Sequence, residues 1–290
     1  MKTNRVGILT DSTASIPHYL AAELQIEIVP CQVIRGAENL RDGIDVKPQP
    51  FAEYLASLKS DAKLPTTSFP SPGEYVEGFM KLAEHTREIV ALTITSKGSG
   101  AYQSCMTAAE MVRAEISDMN IQVVDTLQVA MAHGWAVIEA GRLAAKHGTL
   151  AQVTERAQDV ARKAILIQTA DTLRYLYMGG RIGHAQHLVG SLLDIKPLIG
   201  MVNGEISALA TARSRPRAYA RMVQLARERI ANARHVHLAF THCGAEGQIE
   251  ILRDFYFREL NCIEEMTTPL SPALAVHSGP GTVGICFFAE

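Results

Sequence analysis

The chain has 290 residues, a formal net charge of -2, 47% hydrophobic residues and five cysteines. That length suits two domains with ample core, and the near-neutral balance gives no bulk electrostatic case for nucleic acid or for an anionic membrane. No run approaches the ~18 unbroken apolar residues of a spanning helix, MKTNRVGILTDS is not a signal peptide, and Cys31, Cys105, Cys243, Cys262 and Cys286 lack C-x-x-C spacing, so reduced thiols in the cytoplasm are expected.

Residues 6–9 read as a short buried strand, followed by Thr10-Asp11-Ser12-Thr13, with Ser15 a candidate N-cap and Pro17 in the first turn of a helix. Strand, polar loop and helix open an α/β unit, and open α/β sheets collect ligands at the carboxyl ends of their strands. Asp11 and Ser12 are therefore candidates. The alternative is that Asp11 ties down its own loop through backbone N–H groups. A second strand is expected over 26–34, an Asp-Gly turn over 40–46 and a short amphipathic helix over 51–58. Residues 64–73 hold three prolines among hydroxyls. A stiff extended loop follows from that, with Thr67 and Ser68 free to point at one place. Ser71 and Glu74 fit a capping box with Pro72 at the first helical position.

A strand over 88–95 runs into Ser96-Lys97-Gly98-Ser99-Gly100 and a helix over 101–115. Free N–H groups at that helix end favour an anion, Ser99 adds a hydroxyl, and Gly98 and Gly100 admit a ligand close to the backbone. The G-x-x-x-x-G-K-[ST] spacing of a P-loop is absent. A strand over 121–125, helices over 129–147 and 150–164 and a strand over 165–168 complete an alternation that implies a parallel sheet with helices on both faces.

Leu173, Leu176 and Tyr177 have helical spacing that Gly179-Gly180 stops, and a second helix is expected over 188–193, closed by Pro197. Arg181 sits on the turn. It either grips an anion with its planar fork or is a solvated residue beyond a C-cap. Asn203-Gly204 between apolar flanks marks a hairpin. Strands over 235–241 and 282–288 and a helix over 248–260 suggest a more antiparallel α+β region, giving expected domains of 1–165 and 166–290. Arg213, Arg215 and Arg217 crowd the start of a helix reaching about 230, where the dipole disfavours cations. They are either a solvated basic loop or a docking surface for an acidic partner or for phosphates. His277 precedes Gly279-Pro280-Gly281, which reads as a rigid turn; whether the histidine serves a ligand or only the turn stays open. Gly279, Gly281 and Gly284 mimic G-x-G-x-x-G without the flanking strand and helix of a dinucleotide site. The close pairs His184/His187 and His235/His237 lack a third ligand, so no metal is expected.

The stretches TDSTASIP, TTSFPSPGEY, TSKGSGAYQS, YMGGRIG with GSLLDIKPLI, and HSGPGTVGICF, in this order, resemble the DegV family of fatty-acid-binding proteins over nearly the whole chain. The resemblance implies a two-domain fold, an N-terminal parallel-sheet α/β/α domain and a C-terminal α+β domain, with a long-chain acyl group between them. It implies that Thr67, Ser68, Ser99 and Gly100 hold the carboxylate with Arg181 and His277 close by, and that Ser278 is a secondary candidate beside Asp11 and Ser12. It further implies a separate ATP-dependent fatty acid kinase as partner, toward which Arg213 and Arg215 are the docking candidates. No cofactor is implied beyond the bound fatty acid. Gly98, where a bulkier apolar residue is usual, and Leu274, where glycine is usual, depart from the family pattern.

A fatty acid needs a dry tunnel and a polar cage, because its head cannot be buried charged and unpaired. The favoured reading is a binding and presenting protein with no turnover of its own. The rival is an enzyme, either a hydrolase built on Ser99 and His277 or a lone phosphotransferase; against it stand the missing G-x-S-x-G elbow and the missing nucleotide cradle. A carrier of another hydrophobic acid is the third reading.

Overall fold

The computed structural model describes residues 6–59, 61–191, 195–230, 233, 235–257, 260 and 262–290. In chain order, β1 (Val6–Asp11), α1 (His18–Glu23) and β2 (Ile26–Val29) precede β3 (Gln32–Arg35), β4 (Glu38–Arg41), α2 (Pro48–Ser57) and β5 (Thr66–Ser68). Next come α3 (Pro72–Ala83), β6 (Glu88–Thr93), α4 (Ala101–Glu115), β7 (Asn120–Asp125), α5 (Ala130–Ala145) and α6 (Leu150–Lys163). The second half holds β8 (Ile165–Thr169), α7 (Arg174–Met178), a 3-10 stretch (Gly183–Ser191), β9 (Lys196–Val202), β10 (Glu205–Ala212) and α8 (Arg215–Ile230). It ends with β11 (Val236–His242), α9 (Glu246–Leu252), a π turn (Arg253–Phe257), β12 (Cys262–Pro269), α10 (Pro272–Ser278) and β13 (Val283–Ala289).

Strands of the first half form a parallel sheet in the order β2-β1-β6-β7. Those of the second form a mixed sheet, β10-β9-β8-β13-β11-β12, antiparallel except between β11 and β12. Helices α3 and α4 cover one face of the parallel sheet through Tyr75, Phe79 and Cys105. Helix α5 lies between the two sheets. It buries residues on every side, the mark of a helix with no solvent face. Its Trp135 indole N–H donates to the carbonyl of Cys286 on β13 (2.9 Å), so one core joins Val6 and Ile8 of the first sheet to Cys286 and Phe288 of the second. Helix α8 packs on the far face of the mixed sheet, against Ile167, Leu238 and Ile285.

Local signals in the sequence act as expected. Ser71 and Glu74 form the capping box of α3, α4 spans the expected 101–115, and Asn203 and Gly204 both take positive φ (51° and 84°) at the β9–β10 hairpin, as a primed turn requires.

Five expectations need correction. The single strand over 26–34 is two strands, because Pro30 has no N–H to continue the ladder. Its second half, β3, leaves for a separate antiparallel sheet in the order β4-β3-β5. The stiff loop over 64–73 contains β5, in which Thr67 pairs with Val33. Residues of the expected 188–193 helix belong to a 3-10 stretch starting at Gly183, 192–194 lie outside the described residues, and Pro197 is the second residue of β9. Residues 275–278 are the end of α10, whose N-cap Ser271 accepts from Leu274 N–H with Pro272 at the first turn. The helix expected over 248–260 shortens to α9 and the π turn, and 258–259 lie outside the described residues. Among the described residues no helix is long and apolar enough to cross a membrane.

Candidate functional site

The parallel strands end at Asp11, Val29, Thr93 and Asp125, and the loops that follow them all reach one cavity of about 500 Å³. Thr13 follows β1, Cys31 follows β2, Ile94, Thr95 and Ser99 follow β6, and Val129 follows β7. This is the carboxyl edge where open α/β sheets place ligands. Across the cavity stand Leu166 of β8, Ile199 and Met201 of β9, Leu176 of α7, and Leu274 and His277 of α10. Its volume lies within the ~300–1,000 Å³ of small-molecule sites. The hairpin tip helps close it: Thr95 hydroxyl donates to Gly204 carbonyl (2.8 Å).

At one place on its wall three polar groups meet. Thr67 Oγ1 and His277 Nε2 lie 2.8 Å apart, although 210 residues separate them in sequence. His277 Nδ1 is buried and has no hydrogen-bond partner among the described residues. The reason for its enclosure is Gly179: a Cβ there would stand 2.3 Å from Nδ1. The next glycine, Gly180 (φ 68°), turns the chain so that Arg181 N–H returns to Leu176 carbonyl (3.0 Å), a closure of Schellman type. Arg181 is thereby delivered outside helix, exposed, with Nη1 donating to Gly179 carbonyl (2.7 Å) and most of its fork uncommitted.

Burial, and then the nearby Arg181 cation, push the His277 imidazolium down to a pKa of about 4. The free protein at neutral pH therefore presents a neutral histidine beside a permanent cation. Because this pKa is depressed, the neutral ring contributes stability above pH ~6.5 that is lost as pH falls through about 4. In an NMR titration of the ligand-free protein His277 should stay neutral down to pH 5; a midpoint above 6 contradicts this geometry.

Ser68 and Ser99 line the same cavity. Ser68 hydroxyl donates to Phe69 carbonyl (3.2 Å), and Ser99 Oγ accepts from Ala101 N–H at the start of α4 (3.2 Å). Both oxygens keep capacity for a ligand. No hydrogen bond joins Ser99 to His277 among the described residues, so the serine–histidine pair of a hydrolase is not assembled. Gly100 lies behind the cavity wall. Phe69 lies over it, with its ring 2.5 Å from where a Cβ would be, and Gly100 is absent from the cavity wall. Ser278 lines the cavity but donates to Leu274 carbonyl within its own helix (2.8 Å).

Asp11 and Ser12 do not reach the cavity wall. Fully buried, Asp11 accepts from Thr13 N–H (3.1 Å), from the Thr13 hydroxyl and from Ile94 N–H (2.9 Å). This is the loop-bracing alternative. Ser12 donates to Asp42 Oδ2 (2.7 Å) and accepts from Cys31 N–H (3.0 Å). Asp42 is itself buried, and desolvation lifts its carboxyl to a pKa of about 6. The folded protein thus holds this proton more tightly than the unfolded chain. Its contribution is full below pH ~4 and is lost as pH rises through about 6. Asp42→Asn should gain up to about 3 kcal/mol at pH 8 and little at pH 4, read from urea unfolding at both pH values. An equal effect at the two would show that Asp42 is not the titrating group.

Arg215 is not free to meet a partner. Its guanidinium donates to Asp171 Oδ2 (2.6 Å), Gly281 carbonyl (2.9 Å) and the Tyr219 hydroxyl (3.2 Å), while Lys196 takes the other Asp171 oxygen (2.8 Å). It braces the turn that follows His277. Arg213 is exposed beside it. Sequence reasoning missed Asp171 altogether, and only its position after a strand end offered a signal. Among the described residues no group of three or more histidine, cysteine or acidic side chains is placed to hold a metal ion.

A model of the DegV family, described as uncharacterised proteins, matches residues 5–290. The chain belongs to the DegV family. A DegV domain-containing protein of Halalkalibacterium halodurans is 30% identical over 289 residues, 99% of each chain. Among solved structures, this DegV protein is similar to one from Thermus thermophilus described by fatty acid binding, at 28% identity and TM-score 0.91, covering 99% of this chain and 100% of that one. It is also similar to DegV of Bacillus subtilis, described as a fatty acid binding protein, at 26% identity and TM-score 0.84, covering 99% and 100%. The DegV fold, a parallel-sheet half and a mixed-sheet half around the cavity, is thus shared from end to end.

Proposed function

We propose that the protein binds a long-chain fatty acid in this cavity, with the carboxylate at Thr67, Ser68, Ser99, Arg181 and His277, and presents it in the cytoplasm to a separate ATP-dependent kinase. The observation that carries the reading is the Thr67–His277 contact beside Arg181 on the wall of a mainly apolar cavity. Burying about fourteen methylenes offers roughly 11 kcal/mol gross, before lost motion is subtracted. Hydroxyls and an arginine provide the charge-assisted partners a carboxylate head requires. An exposed Arg181 leaves that head reachable from outside, which suits presentation better than storage. The two similar structures described as fatty-acid-binding support the ligand class.

Two measurements test it. Thr67→Val and Arg181→Ala should each weaken fatty-acid binding, read by displacement of a fluorescent fatty acid, by roughly tenfold or more, with melting temperatures near wild type. A melting temperature that collapses while bound lipid per folded protein stays normal would make Arg181 structural. The pure protein with ATP, magnesium and palmitate should form no acyl phosphate; its appearance without a second protein would make this chain the kinase.

A further inference from the structure

Strand β8 alternates cleanly. Ile167 points into the core beneath α8, while Leu166 and Gln168 line the cavity. Gln168 is 6% exposed. Among the described residues its side-chain amide makes no hydrogen bond, and neither of its polar atoms is sealed from the cavity. Its register partners are Gly284 on β13, which carries no side chain, and Ile199 on β9. Around it the wall is apolar, with Leu166, Ile199 and Met201. An amide in such a wall is a poor choice for a plain hydrocarbon tail, which offers neither donor nor acceptor.

We propose that the cavity selects a fatty acid that carries a hydroxyl along its chain, and that Gln168 recognises this hydroxyl. The amide N–H donates to the hydroxyl oxygen, and the amide oxygen accepts the hydroxyl proton. A hydroxyl satisfies both halves of the amide; a ketone serves only the donor, and a carbon–carbon double bond only weakly. A site built to bond a hydroxyl discriminates against the ligand lacking it, because its own polar group is then left unpaired. This selectivity rests on the fatty-acid reading above.

The test compares stearic acid with a series of hydroxystearic acids, the hydroxyl stepped along the chain, by displacement of a fluorescent fatty acid. Wild type is compared with Gln168→Leu and with Gln168→Met, which keeps the unbranched shape. At least one hydroxy isomer should bind wild type roughly tenfold tighter than stearic acid. That preference should vanish in both variants, while stearic acid binds them as tightly as wild type or tighter. If every isomer binds wild type no better than stearic acid, the inference is overturned. If the variants lose stearic acid as well, Gln168 serves the carboxylate and the inference is again overturned. Failure of stearic acid and of every hydroxy isomer to bind wild type would instead remove the fatty-acid reading itself.

Discussion

Gly179→Ala is expected to destabilise the protein by about 1–3 kcal/mol through overpacking and to weaken fatty-acid binding by more than roughly tenfold. The backbone at Gly179 is right-handed (φ -78°, ψ -6°), so alanine meets no conformational penalty there. The cost is the added methyl, 2.3 Å from His277 Nδ1 and 3.0 Å from Tyr175 carbonyl. Tyr175 carbonyl is held in the α7 cap by Gly179 N–H, leaving the imidazole as the group that moves. The Thr67–His277 contact then breaks. Gly180→Ala is the control. Its φ of 68° disfavours alanine by about 1 kcal/mol, but among the described residues nothing beyond its chain neighbours lies within 4 Å of the new methyl, and His277 stays in place. Equal binding losses at the two positions would show that the turn as a whole, and not the imidazole, is what matters.

Trp135→Ala is expected to cost about 3–5 kcal/mol. The indole is fully buried on α5, donates to Cys286 carbonyl and packs edge-on against His237 and Phe288. It joins the helix layer of the first sheet to the second sheet. Since α5 faces both, the two halves should unfold in one transition in wild type, and the variant should lower its midpoint without splitting it. Two separate transitions in wild type, read by near-UV circular dichroism against far-UV, would contradict a shared core.

What the sequence disclosed followed the range of the forces involved. Caps and tight turns act within a few residues, so the Ser71–Glu74 box, the 101–115 helix and the Asn203-Gly204 hairpin were legible. Pro30 divides the 26–34 run, but apolar residues on both sides of it mask the break in the sequence. β5 is hidden between Pro65 and Pro70, and its partner β3 is more than thirty residues away. Candidate site residues were legible one by one. Their convergence was not, for Thr67 and His277 are brought together only by α10 and the small sheet. The same limit applies to Arg215, whose fork reads as a free cation until Asp171 is placed against it.

The central claim, that the cavity holds a long-chain fatty acid, is tested most directly by denaturing the freshly purified protein and quantifying released acyl chains by mass spectrometry. The account predicts close to one long-chain fatty acid per protein, and a marked fall in the Gly179→Ala and Arg181→Ala proteins. No extractable acyl chain from wild type, together with no uptake of added fatty acid, would contradict it.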